Sequence, residues 1–331
     1  MRDGRYPWLA WLWRWGISFW SLALGLLTLF VFRRGLPHVG WIVGYLLLLW
    51  CVFVVFTEWR DPLEQRAGPI VVDAGEYVML TLCHNLLLFV LPAYYASATL
   101  TSLNVIFLAA LAALALVTAV DPLYHRLIHP HPWRRHLLLA FSMFAALNVA
   151  LPLVGVRPIL ALEGSAALAV LALAPALRRG GTVPWKDVHA RAALAAVLAM
   201  VLVWFARALV PPAPLFLASR MVARAVTDLT PVDVIQDSVP AATVAEWGGL
   251  AAYTAVYAPG GLRQAIQHVW SRDGVAFARI PLSPVRGGRA EGFRTYSITR
   301  NLKPPLDGRY TVDVMTASGQ LIGRLRFSVT P

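Results

Sequence analysis

Long apolar runs broken by short, arginine-bearing segments constrain this chain more than any other feature. A helix that crosses the hydrocarbon core of a membrane needs about 20 mostly apolar residues. Seven candidate runs stand at about 15–32, 40–57, 77–96, 100–120, 137–156, 159–177 and 190–210. The breaks have physical causes. Gly35 and Pro37 end the first run, and Asp61-Pro62 with an acidic stretch follows the second. Asp121-Pro122 and His129-Pro130-His131-Pro132 follow the fourth, and Arg178-Arg179-Gly180-Gly181 follows the sixth. Pro92, Pro152 and Pro175 fall inside runs, where neighbouring helices can satisfy the freed carbonyls. Only 14% of the chain is charged, against about 25% in a soluble domain. That excludes an ordinary cytosolic enzyme, a disordered chain and a disulfide scaffold.

Arginine and lysine orient the runs. With the amino terminus in the cytoplasm, the inner segments hold Arg2, Arg5, Arg14, Arg60, Arg66, Arg126, Arg134, Arg135, Arg178, Arg179, Lys186 and Arg191. The outer loops hold Arg33, Arg34 and Arg157. Short cytoplasmic loops carry the excess of basic residues, so seven spans place the carboxyl-terminal part outside the cytoplasm. Arg2, Arg5 and Arg14 precede the run from Ile17 to Phe32 with no small-residue cleavage site after it, which reads as an uncleaved signal anchor. Trp8, Trp11 and Trp15 suit an interfacial stretch before it. The balance of +12 sits in part in the short loops between apolar runs, so membrane lipids are the expected partner and nucleic acid is not. Cys51 and Cys83 both lie in apolar runs, with no disulfide or Cys-x-x-Cys site expected.

Past Pro211-Pro212-Ala213-Pro214 the hydrophobic period changes to two. Leu321, Gly323, Leu325, Phe327 and Val329 alternate with Ile322, Arg324, Arg326 and Ser328, and Tyr310, Val312 and Val314 with Thr311, Asp313 and Met315. Further strands are expected at 220–227, 251–258, 262–271, 274–282 and 293–300, punctuated by glycine turns. About seven short strands in such a length suggest an immunoglobulin-like sandwich. The expected organisation is a membrane all-α part over 1–210, a stiff Pro-rich linker over 211–218 and an all-β sandwich domain over 219–331. A two-residue turn at Ser318-Gly319 would set Asp313 opposite Arg324, Thr311 opposite Arg326 and Arg309 opposite Ser328.

Three motifs carry a resemblance: His268-Val269-Trp270; Gly292-Phe293-Arg294-Thr295-Tyr296-Ser297; and Gly308-Arg309-Tyr310-Thr311-Val312-Asp313-Val314 with Gly319-Gln320 and Phe327. Residues 260–331 resemble domain-of-unknown-function family 2914. The helical part resembles the multi-span domain, like family 5924, that precedes it in some bacterial proteins. The resemblance implies a bacterial envelope protein and brings no activity or catalytic residue with it.

Candidate sites are few. His125, His129, His131 and His136 stand in or beside the fourth loop, and imidazoles at His-x-x-x-His spacing can ligate zinc, iron or copper. The plainer reading is a loop whose histidines and arginines meet lipid headgroups. His84, Asn85, Asn104, Asn148 and Glu163 are polar residues within spans, where an ionisable group is costly and marks a function by default. Glu163 would carry a proton or cation, or pair with Arg157 or Asn104; interhelical hydrogen bonding is the plainer reading. Arg309 and Arg326 have no expected cross-strand partner and suit an anion, either a lipid headgroup or an acidic envelope polymer. His268 reads as a structural strand residue. No phosphate loop, dinucleotide fingerprint or nucleophile elbow occurs, and no cofactor is expected. The first functional reading is a non-enzymatic inner-membrane protein with a periplasmic domain for binding, sensing or scaffolding, its partners an envelope polymer or a periplasmic protein. A proton- or ion-coupled transporter using Glu163 and a membrane metal enzyme using the four histidines are the alternatives.

Overall fold

The computed structural model of the chain describes residues 39–178, 183–300 and 302–331. The expected span at 15–32, the tryptophans before it and Arg179-Gly180-Gly181 lie outside the described residues. Two compact units emerge. One comprises Tyr94–Phe107, Leu151–Leu160 and Ala206–Pro331; the other holds the remaining helical residues.

In the helical part, Leu, Ala and Val fill the sequence and proline opens the helices. Helix α1 spans Val39–Glu58, α2 Arg60–Ala67 and α3 Pro69–Ser97. Then come α4 (Val105–Ala119), α5 (Asp121–Leu127), α6 (Pro132–Leu153), α7 (Pro158–Leu171), α8 (Ala174–Leu177) and α9 (Trp185–Phe205). Pro69, Pro132 and Pro158 stand at the first helical position, where a missing N–H costs nothing. Pro92 lies within α3, whereas Pro152 sits one residue from the end of α6. Among the described residues three helices are long and apolar enough to cross a membrane: Ile70–Ser97, Pro132–Leu153 and Trp185–Ala208. Helices α4 and α5 meet that test together but bend by 108° at Val120. Two expected spans are shorter than the apolar runs suggested. The turn at 98–104 delays α4 to Val105, and Pro175, confined by its ring to a first turn, divides 159–177 into α7 and α8. Helix α2, with the sequence RDPLEQRA, was expected only as a polar break.

The other unit is built on strands. Sheet one has the order β2-β1-β4-β9, from Thr230–Ile235, Phe216–Thr227, Leu250–Tyr257 and Phe293–Thr299. Sheet two has the order β3-β11-β10-β6-β7, from Ser238–Pro240, Leu321–Thr330, Gly308–Thr316, Ile266–Arg272 and Val275–Pro281. Neighbours are antiparallel except β3 and β11, which run parallel. A small pair, β5 (Arg263–Gln264) with β8 (Val285–Arg286), and helix α10 (Ala241–Trp247) complete it. All seven expected strands are present; β2, β3, β8 and α10 were not foreseen.

One core joins the two sheets. Val222, Leu250, Ala252 and Val256 from the first meet Trp270, Val312, Val314, Leu325 and Phe327 from the second. Trp270 is wholly buried, and its ring stands edge-on to Phe327 with centroids 6.5 Å apart. Residues 211–215, expected as part of a spacer, are buried instead, and Leu215 belongs to this core. Ala213 N–H bonds Pro211 O and Leu215 N–H bonds Pro212 O, which folds the prolines back onto the unit.

The register of β10 and β11 agrees with the expectation: Asp313 faces Arg324, Thr311 faces Arg326 and Arg309 faces Ser328. The route to it differs. Thr316 N–H bonds Gln320 O around a three-residue loop, with Gly319 at φ +88°. The register then shifts between Val314/Gly323 and Met315/Leu321, leaving Ile322 as a bulge. The longer loop and the bulge cancel, so the expected two-residue turn is corrected while the pairing stands.

Candidate functional site

The β unit holds a buried polar network. Leu250, Ala252, Thr254 and Val256 alternate along one face of β4, so Thr254 is a hydroxyl on an otherwise apolar inner face. Ser297 takes the equivalent place on β9, and His268 and Trp270 project inward from β6 of the other sheet. His268 is fully buried, with Nε2 3.0 Å from Thr254 Oγ1 and Nδ1 2.8 Å from Ser297 Oγ. Trp270 Nε1 donates to the same Ser297 oxygen at 3.0 Å. An indole nitrogen can only donate, so Ser297 accepts there and has its own proton for His268 Nδ1. Nε2–H then donates to Thr254. Every group is satisfied by one neutral tautomer. Burial lowers the His268 pKa to about 4. The network therefore ties the sheets together, and the Ser297–His268 pair is sealed away from any substrate. The histidine, tryptophan and serine of two resemblance motifs are thus three members of one cluster.

A second locus lies on the surface of the same unit. A cleft of about 740 Å³ is lined by the last turn of α3, residues 98–101, the start of β1 and the start of β11. Arg220, Arg324 and Arg326 all face it. Arg324 is committed to Asp313, donating from Nη2 to Oδ2 at 2.7 Å, and that hydrogen bond raises its pKa further. Its Nη1 reaches Thr101 O at 3.3 Å. Arg220 Nη1 donates to Arg324 O at 3.1 Å. Arg326 is exposed and Arg309 lies outside the cleft. By the register Arg309 and Arg326 sit diagonally on one face of β10 and β11, and Arg220 is the cleft residue that strand parity did not disclose.

Asn104 sits in the turn between α3 and α4 instead of inside a span. Its Oδ1 accepts from Thr99 N–H at 2.9 Å and Ser102 Oγ at 2.6 Å, and its Nδ2 donates to Leu321 O at 3.3 Å. It organises the loop that borders the cleft.

The helical unit carries the remaining candidates. His84 in α3 is fully buried; Nδ1 lies 3.1 Å from Thr118 Oγ1 of α4, and Nε2 has no hydrogen-bond partner among the described residues. Asn85 Oδ1 is likewise unpartnered among them. Asn148 is buried in α6. Glu163 is half-buried in α7 and makes no hydrogen bond or ion pair among the described residues. The four loop histidines disperse. His125 and His129 stand with ring centroids 5.0 Å apart, His131 stacks on Trp133, and His136 meets Phe53 edge-on. His129 Nε2 lies 3.6 Å from Glu76, whose carboxylate accepts from Arg135 at 2.6 Å. Among the described residues no three His, Cys, Asp or Glu side chains converge as metal ligands.

An apolar helical part with three spans' worth of long helices, joined to an all-β unit, defines a class by architecture rather than by catalytic apparatus. Residues 6–249 match the family of unknown function DUF5924, and the chain belongs to that family. Residues 263–329 match DUF2914, a protein family of unknown function, in the order and place that the sequence motifs implied. The first match runs on through β1, β2, β3 and α10, so both families contribute to the β unit. No curated protein and no solved structure matches the chain.

Proposed function

We propose that this is a seven-span bacterial inner-membrane protein with a cytoplasmic amino terminus. It holds an immunoglobulin-like sandwich at the periplasmic face and uses it for binding, sensing or scaffolding in the envelope, without catalysis. The observation that carries the reading is the make-up of the β unit, which includes Tyr94–Phe107 and Leu151–Leu160. Those are the two turns expected on the outer face, and they belong with the carboxyl-terminal strands. Between them the chain runs through α4, α5 and α6. Helix α6 has the length to cross, so α4 with α5 must make the crossing in the other direction. By the same parity α7 with α8 crosses against α9. Five crossings from α3 to α9, with α1 and the run at 15–32, make seven.

The immunoglobulin-like reading rests on strand order. Strands β4 and β9 pair in one sheet and β7-β6-β10-β11 in the other, as strands B-E and C′-C-F-G do in that fold. Trp270 is the buried tryptophan of strand C, and Tyr310 Oη donates to Leu306 O at 2.9 Å from the start of strand F, the tyrosine corner. Reporter fusions test the orientation. Fusions after Arg179 should score cytoplasmic and fusions after Pro214 periplasmic; the reverse pattern, or the same side for both, rejects it.

A proton- or ion-coupled transporter is the second reading, favoured by Glu163, His84 Nε2 and Asn85 Oδ1, which have no partner among the described residues. Proton flux into proteoliposomes that is abolished by Glu163→Gln would establish it, and no flux above empty vesicles would remove it. The metal-enzyme alternative has no converging donor set among the described residues.

A further inference from the structure

Residues 206–331 carry thirteen arginines and one lysine against eight acids, so free cationic groups are common and their placement is what matters. In the cleft, Arg324 is spent on Asp313 and on Thr101 O, and it pins the 98–104 loop to β11. Arg220 and Arg326 have no acidic partner among the described residues, and no acidic residue lines the cleft. Arg220 is held by one N–H on Arg324 O, which leaves the rest of its guanidinium fork open.

Two irregularities converge on the same place. Strand β1 shifts register between Leu217 and Ser219, with Ala218 as the extra residue, and β11 bulges at Ile322. Ala218 and Ile322 both line the cleft. Bulges re-aim side chains and gather next to functional sites. Between them, Gly323 lets the two strands close up: a Cβ there would fall 2.5 Å from Leu217 Cδ1.

Part of the lining is apolar: Tyr95 and Leu100 are exposed at 67% and 65%, and Leu103 in the same loop as Leu100 at 62%. Tyr95 stands in the last turn of α3, a helix long and apolar enough to cross a membrane, and the end of a crossing helix is where tails give way to headgroups. Aromatic and aliphatic groups beside an open pair of guanidinium forks match a ligand with a phosphodiester next to acyl chains.

We propose that Arg220 and Arg326 form a binding site for the phosphodiester headgroup of an anionic phospholipid, with Tyr95, Leu100 and Leu103 against its acyl chains. The site requires only that α3 crosses the membrane, and it holds for either orientation.

The test uses the full chain in nanodiscs of phosphatidylcholine containing phosphatidylglycerol, with lipid retained after gentle delipidation counted by native mass spectrometry. Wild-type protein should retain phosphatidylglycerol over phosphatidylcholine. Arg220→Gln with Arg326→Gln should lower that retention about tenfold or more, at the interfacial attraction usual for each arginine. Arg309→Gln, outside the cleft, should leave it unchanged. Equal retention by the double variant, or an equal loss in the Arg309 variant, overturns the site. Free glycerol 3-phosphate at matched concentration should not displace the lipid; if it does, a soluble phosphate is the ligand and the lipid assignment fails. Incorporation into nanodiscs is scored separately, so loss of the site is distinguishable from failure of the membrane reading.

Discussion

Acid should loosen the β unit through His268. In the folded chain its pKa lies at about 4, and in the unfolded chain near the ordinary 6.5. Between those values the unfolded state binds more protons than the folded one, so stability falls as pH drops from 6.5 towards 4 and levels off below. A displacement of that size corresponds to about 3 kcal/mol when fully expressed. The cause is plain in the geometry. The neutral ring has both nitrogens satisfied by Thr254 and Ser297, whereas a second ring proton would force a charge into a site with no anion beside it. Hydrogen exchange of the peptides spanning 266–272 and 308–316 in the full-length protein, corrected for the intrinsic pH dependence of exchange, measures the opening free energy of these central strands. Carboxylates contribute their own acid lability, so the informative quantity is the difference between wild type and His268→Gln. The variant should open more easily at pH 7.5 and show a flatter pH profile. Equal slopes between pH 6.5 and 4.5 would refute the assignment of the sensitivity to His268.

Other substitutions read out the same unit. Trp270→Ala should cost about 3–5 kcal/mol by the same exchange measurement, the usual figure for deleting a buried aromatic. Tyr310→Phe removes only the hydroxyl donor to Leu306 O and should cost about 1 kcal/mol. Gly323→Ala should destabilise by about 1–3 kcal/mol through collision with Leu217, and Leu217→Ala in the same chain should recover part of the loss in a double-mutant cycle. Asp313→Asn should loosen the 98–104 loop, seen as faster exchange there, because Arg324 then loses the carboxylate that aims Nη1 at Thr101.

Period-two alternation disclosed strands with a glycine turn and an apolar inner face, and β10 with β11 is the clearest case. Strand β2 escaped because its hairpin turn is Asp228-Leu229, both at positive φ, a conformation in which leucine is rare and which usually announces itself by glycine or asparagine. The short helix α8 escaped because an apolar run does not reveal a bend; only Pro175, reread as a first-turn residue, marks it, while Pro122, read as the break after a run, stands in the first turn of α5. At the buried network the legible sign was a polar residue on an inward parity: Thr254 and Ser297 in otherwise apolar faces. Which histidine they meet depends on strand order across two sheets, and no local spacing encodes that. The cleft was illegible for a related reason, since bulges at Ala218 and Ile322 shift the side-chain alternation at the positions that line it.

The side chain of Asn104 bonds the backbone of a residue 217 positions later. On the ribosome, at roughly 5–20 residues per second, Leu321 follows Asn104 by about 10–40 s. Until then the turn after α3 has its internal hydrogen bonds but not its strand, and the sheet edge that will receive it does not exist. The β unit is thus completed by a strand made long after the loop that the helices deliver early. Truncation near the carboxyl terminus would leave that loop without its partner strand even though every residue of the loop is present.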